Sequence, residues 1–290
     1  MTITKIGIIG SGAMGTGIAH ILAQYGYRVI LNDIDEKKVE NSIRSIETIL
    51  DSKIKRGKIT EAEKVELTEN ISISSNLTDM KDTDLIIEAI IENLDAKTRV
   101  FSTLDKICNE NVIFATNTST MSITKIASGT KRPEKVVGLH FFNPAPVMKL
   151  VEIIRGYYTN DDVVSELKNL VRSIGKESIE VKKDSPGFVV NRLMLAQFRE
   201  AFMVLEEGIA TVDDIDKAMA LGLNHPMGPF ELMDYTGNDI AYDTLEYMYK
   251  EMGQPNWAPP AILKRVVNSG RIGKKAGKGW YDYCKGDNDL

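Results

Sequence analysis

The chain has little of what usually declares a function outright. Its 290 residues hold two cysteines, Cys108 and Cys284, which fit neither a metal-ligand spacing nor a disulfide framework. Histidine occurs three times, and no metal site is expected. No apolar run approaches the roughly 18 residues that span a bilayer, and the opening stretch MTITKIGIIG has no signal-peptide architecture. Positive charge is in deficit. With 36 Lys and Arg against 41 Asp and Glu the net charge is −5, which argues against nucleic acid or an acidic membrane surface as a partner. Low-complexity segments and fixed-period repeats are also missing. What is left is a reduced, soluble chain expected in the cytoplasm. Its 43% apolar content allows a sizeable core, and its length suits one large or two medium domains.

What is present begins at residue 5. KIGII reads as a short buried strand, Gly10-Ser11-Gly12-Ala13-Met14-Gly15 follows at once, and Ile18, Ala19, Leu22 and Ala23 recur at helical spacing. Strand, glycine turn and helix in this order form a dinucleotide-binding unit. Gly10 allows the tight turn, Gly12 lets a pyrophosphate approach the backbone, and Gly15 lets the helix pack on the strand. The helix N-terminus offers the phosphates its unpaired N–H groups. A second strand, Arg28 to Asn32, ends at Asp33, placed to bind the adenine ribose diol. No arginine follows to receive a 2′-phosphate, so NAD is expected rather than NADP. The plainer role for Asp33 is capping the next helix.

Residues 36–70 interrupt the α/β alternation. Val39, Ile43, Ile46, Ile49 and Leu50 trace one helix. Thr60-Glu61-Ala62-Glu63 is a capping box that opens another. The reading is a helical hairpin inserted in the domain. Lys53, Lys55, Arg56 and Lys58 sit at its tip, either as a solvated basic turn or as a site for a polyanionic carrier such as the phosphates of coenzyme A. Alternation then resumes, with strands at 84–89, 112–116 and 136–140 and a helix at 94–107. The strand ends carry Glu88, Glu92, Asn117, Ser119 and His140. Ligands of doubly wound sheets bind outside these ends, although Ser119 could instead cap the helix that starts near Ile123.

The segment from Gly138 to Gly156, GLHFFNPAPVMKLVEIIRG, is the most informative. His140 closes one apolar run and Glu152 lies inside the next, so a sheet can set them side by side. Such a pair forms a proton-transfer unit: the carboxylate fixes the imidazole tautomer, and the other ring nitrogen exchanges a proton with substrate.

From Pro186 the β pattern stops. Phe188, Asn191, Arg192, Leu195, Phe198, Phe202 and Leu205 trace a helix, with Pro186 in the favoured first-turn region. Helical patterns continue through 213–220, 229–250 and 260–268. The expected architecture is a Rossmann-type doubly wound α/β domain at 1–185 and an all-helical domain at 186–290.

Together GSGAMGTGIAH, IIEAIIENLDAK, ATNTSTMSITKIAS, HFFNPAPVMKLVE, DSPGFVVNRL, NHPMGP and GKKAGKGWYDY resemble the 3-hydroxyacyl-CoA dehydrogenases, in the bacterial short-chain branch that acts on 3-hydroxybutyryl-CoA. The resemblance covers nearly the whole chain. It implies His140 as catalytic acid/base with Glu152 as its partner, and Ser119 and Asn191 as contacts of the substrate oxygens. It implies Gly10, Gly12, Gly15 and Asp33 as NAD contacts, with Glu92, Lys97 and Asn117 around the nicotinamide half. An acyl-CoA thioester substrate, a homodimer joined through the helical domain, and a monofunctional enzyme are implied as well. Lys53, Lys55 and Arg56 are the expected coenzyme A contacts.

Several alternatives stay open. A longer-chain 3-hydroxyacyl-CoA dehydrogenase and a gulonate-type 3-hydroxy acid dehydrogenase would share the His–Glu pair. A nucleotide-binding protein that kept the fold without catalysis would not need it. A short-chain dehydrogenase would need Tyr-x-x-x-Lys inside its α/β domain; the match from Tyr281 to Lys285 lies in the all-helical half of the sequence, outside the domain that would have to carry it.

Overall fold

The structure is a computed structural model, and it describes residues 3–284. The chain divides between Asp184 and Ser185 into two compact units.

The first unit is built on one eight-stranded sheet: β1 (Lys5–Ile9), β2 (Arg28–Asn32), β3 (Ile71–Ser74), β4 (Leu85–Glu88), β5 (Ile113–Thr116), β6 (Val136–Phe141), β7 (Leu150–Arg155) and β8 (Glu177–Val181). Their order is β3-β2-β1-β4-β5-β6-β7-β8. Neighbours run parallel except at β6–β7, which is antiparallel. The order reverses between β1 and β4, which opens a crevice at their carboxyl ends. The helices are α1 (Ala13–Gln24), α2 (Glu36–Lys55), α3 (Glu61–Glu69), α4 (Leu94–Ile107), α5 (Ile123–Ala127) and α6 (Asp161–Ser173). Ile6, Ile8, Leu31, Ile87, Leu139 and Ile153 from the strands join Ile18 and Leu22 of α1 in one buried cluster. This accounts for the continuous apolar runs of the central strands.

The inserted hairpin is α2 and α3. Val39, Ile46 and Leu50 bury one stripe of α2. Thr60 and Glu63 close the capping box at the start of α3. Two capping roles considered for site residues fall to neighbours. Asp35, not Asp33, caps α2 by accepting from the Lys37 N–H, and Ser122, not Ser119, caps α5 by accepting from the Lys125 N–H.

The second unit contains α7 (Val190–Glu206), α8 (Val212–Gly222), α9 (Pro229–Thr236), α10 (Asn238–Met252) and α11 (Ala261–Asn268). Two expectations need correcting. Pro186 does not start α7: the Phe188 N–H closes a turn on the Ser185 carbonyl, Gly187 and Phe188 have φ of 75° and 49°, and the helix begins two residues later. Nor is 229–250 one helix. Gly237, with φ of 110°, breaks it into α9 and α10. Phe198, Phe202, Phe230, Met233, Leu245 and Trp257 form the core of this unit. The Phe230 and Trp280 rings meet edge-on at 4.7 Å.

Candidate active site

Antiparallel pairing places His140 directly opposite Glu152 across β6 and β7, a position at which side chains touch. The imidazole Nδ1 and Glu152 Oε2 are 2.8 Å apart. Both residues are buried, at 4% and 0% exposure. An ionised carboxylate only accepts, so the ring nitrogen that faces Glu152, Nδ1, is the one that carries the proton. The Phe142 ring packs against the imidazole at 4.5 Å.

The turn after β5 lies alongside. Asn117 donates its backbone N–H to the Glu88 carbonyl, and its side-chain oxygen accepts from the Phe141 N–H at 2.9 Å. Asn117 therefore fixes the backbone next to His140. Ser119 is half-buried, and its N–H donates to Glu92 Oε1 at 3.0 Å. The Thr118 hydroxyl donates to the same oxygen. Lys97 is 1% exposed. Its ammonium is held by Glu88 at 2.7 Å and Glu92 at 3.2 Å, so it supports this loop from beneath.

At the crevice, Gly10 has φ of 103°, and a side chain there would strike the Ala89 carbonyl. A Cβ on Gly15 would collide with the Gly10 carbonyl, whereas one on Gly12 would meet nothing within 4 Å. That open space lies over an α1 N-terminus whose cap residue, Gly12, makes no side-chain cap bond. Such a cradle fits the pyrophosphate of a dinucleotide. Asp33, half-buried at the end of β2, accepts from the Ser11 N–H at 2.9 Å and the Ser11 hydroxyl at 3.0 Å. Burial acts to raise its pKa. The Ser11 and Asp35 hydrogen bonds outweigh burial, so the carboxyl stays below its ordinary value and remains charged.

A cleft of about 660 Å³ runs from this turn between α1, α2 and the Asn143–Val147 loop. Of the four basic residues at the hairpin tip Lys53 lines it, and Lys38 near the start of α2 does too; Lys55, Arg56 and Lys58 are exposed at the tip. The Lys53 ammonium lies 3.5 Å from both His20 Nε2 and Gln24 Oε1. Burial, then the Lys53 charge, push the His20 imidazole down from 6.5 to about 4, so it is neutral near pH 7. The sequence reading missed His20, the Asn143 loop and the linkage through Glu88. Each lay inside a quoted motif, but nothing local marked it as a wall of the cleft or a hidden support. Asn191 stands in the first turn of α7 in the second unit.

Residues 5–185 match the family of 3-hydroxyacyl-CoA dehydrogenase NAD-binding domains, and residues 187–283 match the C-terminal domain of the same enzymes. The chain is 42% identical over 283 residues to a probable 3-hydroxybutyryl-CoA dehydrogenase of Bacillus subtilis, covering 98% of each. It is 41% identical over 281 residues to the 3-hydroxybutyryl-CoA dehydrogenase of Clostridioides difficile, covering 97% of this chain and 100% of that one. The crystal structure of (S)-3-hydroxybutyryl-CoA dehydrogenase from Ralstonia eutropha aligns with a TM-score of 0.94 at 43% identity, over 98% of this chain and 100% of that chain. Matches of this length and identity, found in both units, agree with the cradle over Gly12. The chain belongs to the 3-hydroxyacyl-CoA dehydrogenase family and is an NAD-dependent dehydrogenase.

Proposed function

We propose that this dehydrogenase interconverts (S)-3-hydroxybutyryl-CoA and acetoacetyl-CoA, with His140 and Glu152 as its acid/base pair. The observation that carries the reading is the 2.8 Å contact between His140 Nδ1 and Glu152, buried and in direct register. His140 Nε2 takes the proton of the 3-hydroxyl during oxidation and returns one to the 3-oxygen during reduction. Glu152 holds the ring in one tautomer and stabilises the imidazolium that forms. Ser119 and Asn191 hold the 3-oxygen, which fixes C3 for reaction. NAD, when bound, supplies the two-electron chemistry by exchanging a hydride with C3.

Gly10, Gly12 and Gly15 hold the pyrophosphate and Asp33 the adenine ribose. Glu92 and Asn117 border the nicotinamide half, and Lys97 acts through Glu92. Coenzyme A is recognised along the cleft, where Lys53 meets its phosphates and Lys55 and Arg56 add exposed positive charge. The test is NADH oxidation by the purified protein with acetoacetyl-CoA. No turnover with this substrate, or a kcat/KM that climbs steeply with longer 3-oxoacyl thioesters, would overturn the short-chain assignment. Turnover of 3-hydroxy acids that carry no coenzyme A would favour the gulonate type.

The enzyme works as a cytoplasmic homodimer joined through its second unit. Phe198 and Phe202 of α7 belong to the unit's own core. The apolar side chains it exposes are others, with Leu221 83%, Leu193 68% and Ile209 67% exposed. Exposed apolar side chains of this kind suit an isologous interface. A 32.3 kDa species in sedimentation at micromolar concentration would rule the dimer out.

A further inference from the structure

Glu88 stands at the carboxyl end of β4 with 0% exposure, and neither the proton transfer nor the cofactor contacts make use of it. Its surroundings are unusually complete. Oε1 accepts from the Lys97 ammonium and from the Ile90 N–H, both at 2.7 Å, and Oε2 accepts from the Thr116 hydroxyl at 2.7 Å. Lys97 reaches onward to Glu92 Oε2 at 3.2 Å. The other oxygen of Glu92 receives the Thr118 hydroxyl and the Ser119 N–H. A continuous line of charge-assisted contacts therefore runs from Glu88 through Lys97 and Glu92 to Ser119.

A buried ion pair is weak evidence for stability, because well-packed apolar residues serve as well or better. What such a pair does supply is fixed geometry, since each charged group must keep its partners or lie uncompensated. Glu92 alone could not supply it. Its side chain is 41% exposed, and an exposed carboxylate moves among rotamers. The Lys97 ammonium removes that freedom, and Glu88 fixes Lys97.

We infer that Glu88 is a positioning residue: through Lys97 and Glu92 it sets the place of Ser119 at the reacting oxygen. The inference rests on the reading of Ser119 as a substrate contact. The test separates the two claims by measuring the Ser119 amide directly. Glu88→Gln alone would strand the Lys97 ammonium, so both charges are removed together in Glu88→Gln/Lys97→Met. Ser119 amide hydrogen exchange in the folded double variant should accelerate about tenfold or more as Glu92 loses its anchor. Thr116→Val takes one donor from the Glu88 carboxylate and keeps the side-chain shape. It should accelerate exchange about fivefold, the share of one hydrogen bond, and it carries the test if the double variant does not fold.

The activity arm is a cycle with Ser119→Ala. If Glu88 acts through Ser119, the double substitution lowers kcat about tenfold or more in the unmutated background and adds little once Ser119 is alanine, because the two losses are coupled. Unchanged Ser119 exchange in the folded variants, or losses that simply multiply, would overturn the inference. Full activity of Ser119→Ala would instead sink the substrate role of Ser119, with the exchange measurement still deciding whether Glu88 holds the loop.

Discussion

The two units bury carboxylates in different company. In the first, Glu152 faces an imidazole and Glu88 faces an ammonium. In the second, Asp216 and Asp234 are also buried, at 7% and 1% exposure, but are met by neutral donors. Asp234 accepts the N–H groups of Trp280 and Tyr281 at 2.9 Å, the Asn238 amide at 2.7 Å and the Tyr283 hydroxyl at 3.2 Å. Asp216 accepts the N–H groups of Phe230 and Glu231 and the Tyr281 hydroxyl, each at 2.8 Å. Burial, and then the bond to Asp216, push the Tyr281 hydroxyl far above its ordinary pKa, so it stays a donor. Neutral donors can clamp a chain, but they cannot pass a proton at neutral pH. Burial alone therefore does not mark a catalytic acid; its partner does.

The comparison breaks most visibly at His140. His140→Gln should lower kcat by about 10²–10⁴-fold, the usual share of a positioned acid/base, while the melting temperature changes little. Glu152→Gln should lose less, because the ring keeps a neutral partner. Steady-state rates with acetoacetyl-CoA, set beside thermal melts of the same samples, check both. A rate loss explained by unfolding would make the first unit's pair no different from the clasps of the second.

Asp234→Asn tests the other side. It places an amide among four donors, so several lose their acceptor, at a cost of about 3 kcal/mol of stability. The folded fraction should keep most of its kcat. Urea denaturation and activity on one preparation would show this. A drop in kcat beyond about 100-fold with stability intact would place Asp234 in the chemistry and end the contrast.

The sequence made these two classes unequally legible. The glycine turn, Asp33 and the meeting of His140 with Glu152 could be read because each depends on a short motif or on strand pairing. The bond between Asp234 and Trp280 joins residues far apart in the chain, with no pattern to announce it. Short strands were hidden for a related reason. β3 reads ISIS and β8 reads ESIEV, and both are only partly buried, so neither shows the apolar run of an inner strand. The hairpin was visible from its helical period and capping box, but the period could not show which of its cations faces the cleft. Lys53 does because it lies on the last turn of α2 that packs against α1, while Arg56 has already left the helix.

Two buried histidines sharpen the comparison on a smaller scale. His140 is partnered by a carboxylate, His20 by the Lys53 ammonium. The unfolded chain takes up the His20 proton near 6.5, and the folded chain holds it off until about 4. More protons are bound by the unfolded state in that window, so stability must fall as pH drops through it. The loss should reach about 2 kcal/mol near pH 5. Carboxyls held low, such as Asp33, Asp84 and Glu180, have ordinary values of 3.8 or 4.5, so their contribution is lost mainly below this range. Urea denaturation across the window should give a shallower slope for His20→Gln. Parallel slopes would mean the cleft tolerates a charged His20.

The smallest effect concerns Asp33, which stands between the two classes. It is clasped by Ser11 donors as Asp234 is clasped by its own, yet it is half-exposed at the crevice rather than sealed in a core. A clasp open to a ligand can serve recognition as well as structure. Its charge suits a ribose diol and repels a 2′-phosphate, because like charges in contact are costly. Asp33→Ala removes that repulsion together with the hold on the turn. NADH should be preferred over NADPH by the unmutated enzyme, and the substitution should narrow the ratio of kcat/KM values by about tenfold, or roughly 1.4 kcal/mol. Its cost in stability should stay well below that of Asp234→Asn, since water can replace the lost acceptor at an exposed site. Equal use of the two cofactors by the unmutated enzyme would remove the recognition role, and a melting loss as large as that of Asp234→Asn would make Asp33 a structural clasp like those of the second unit.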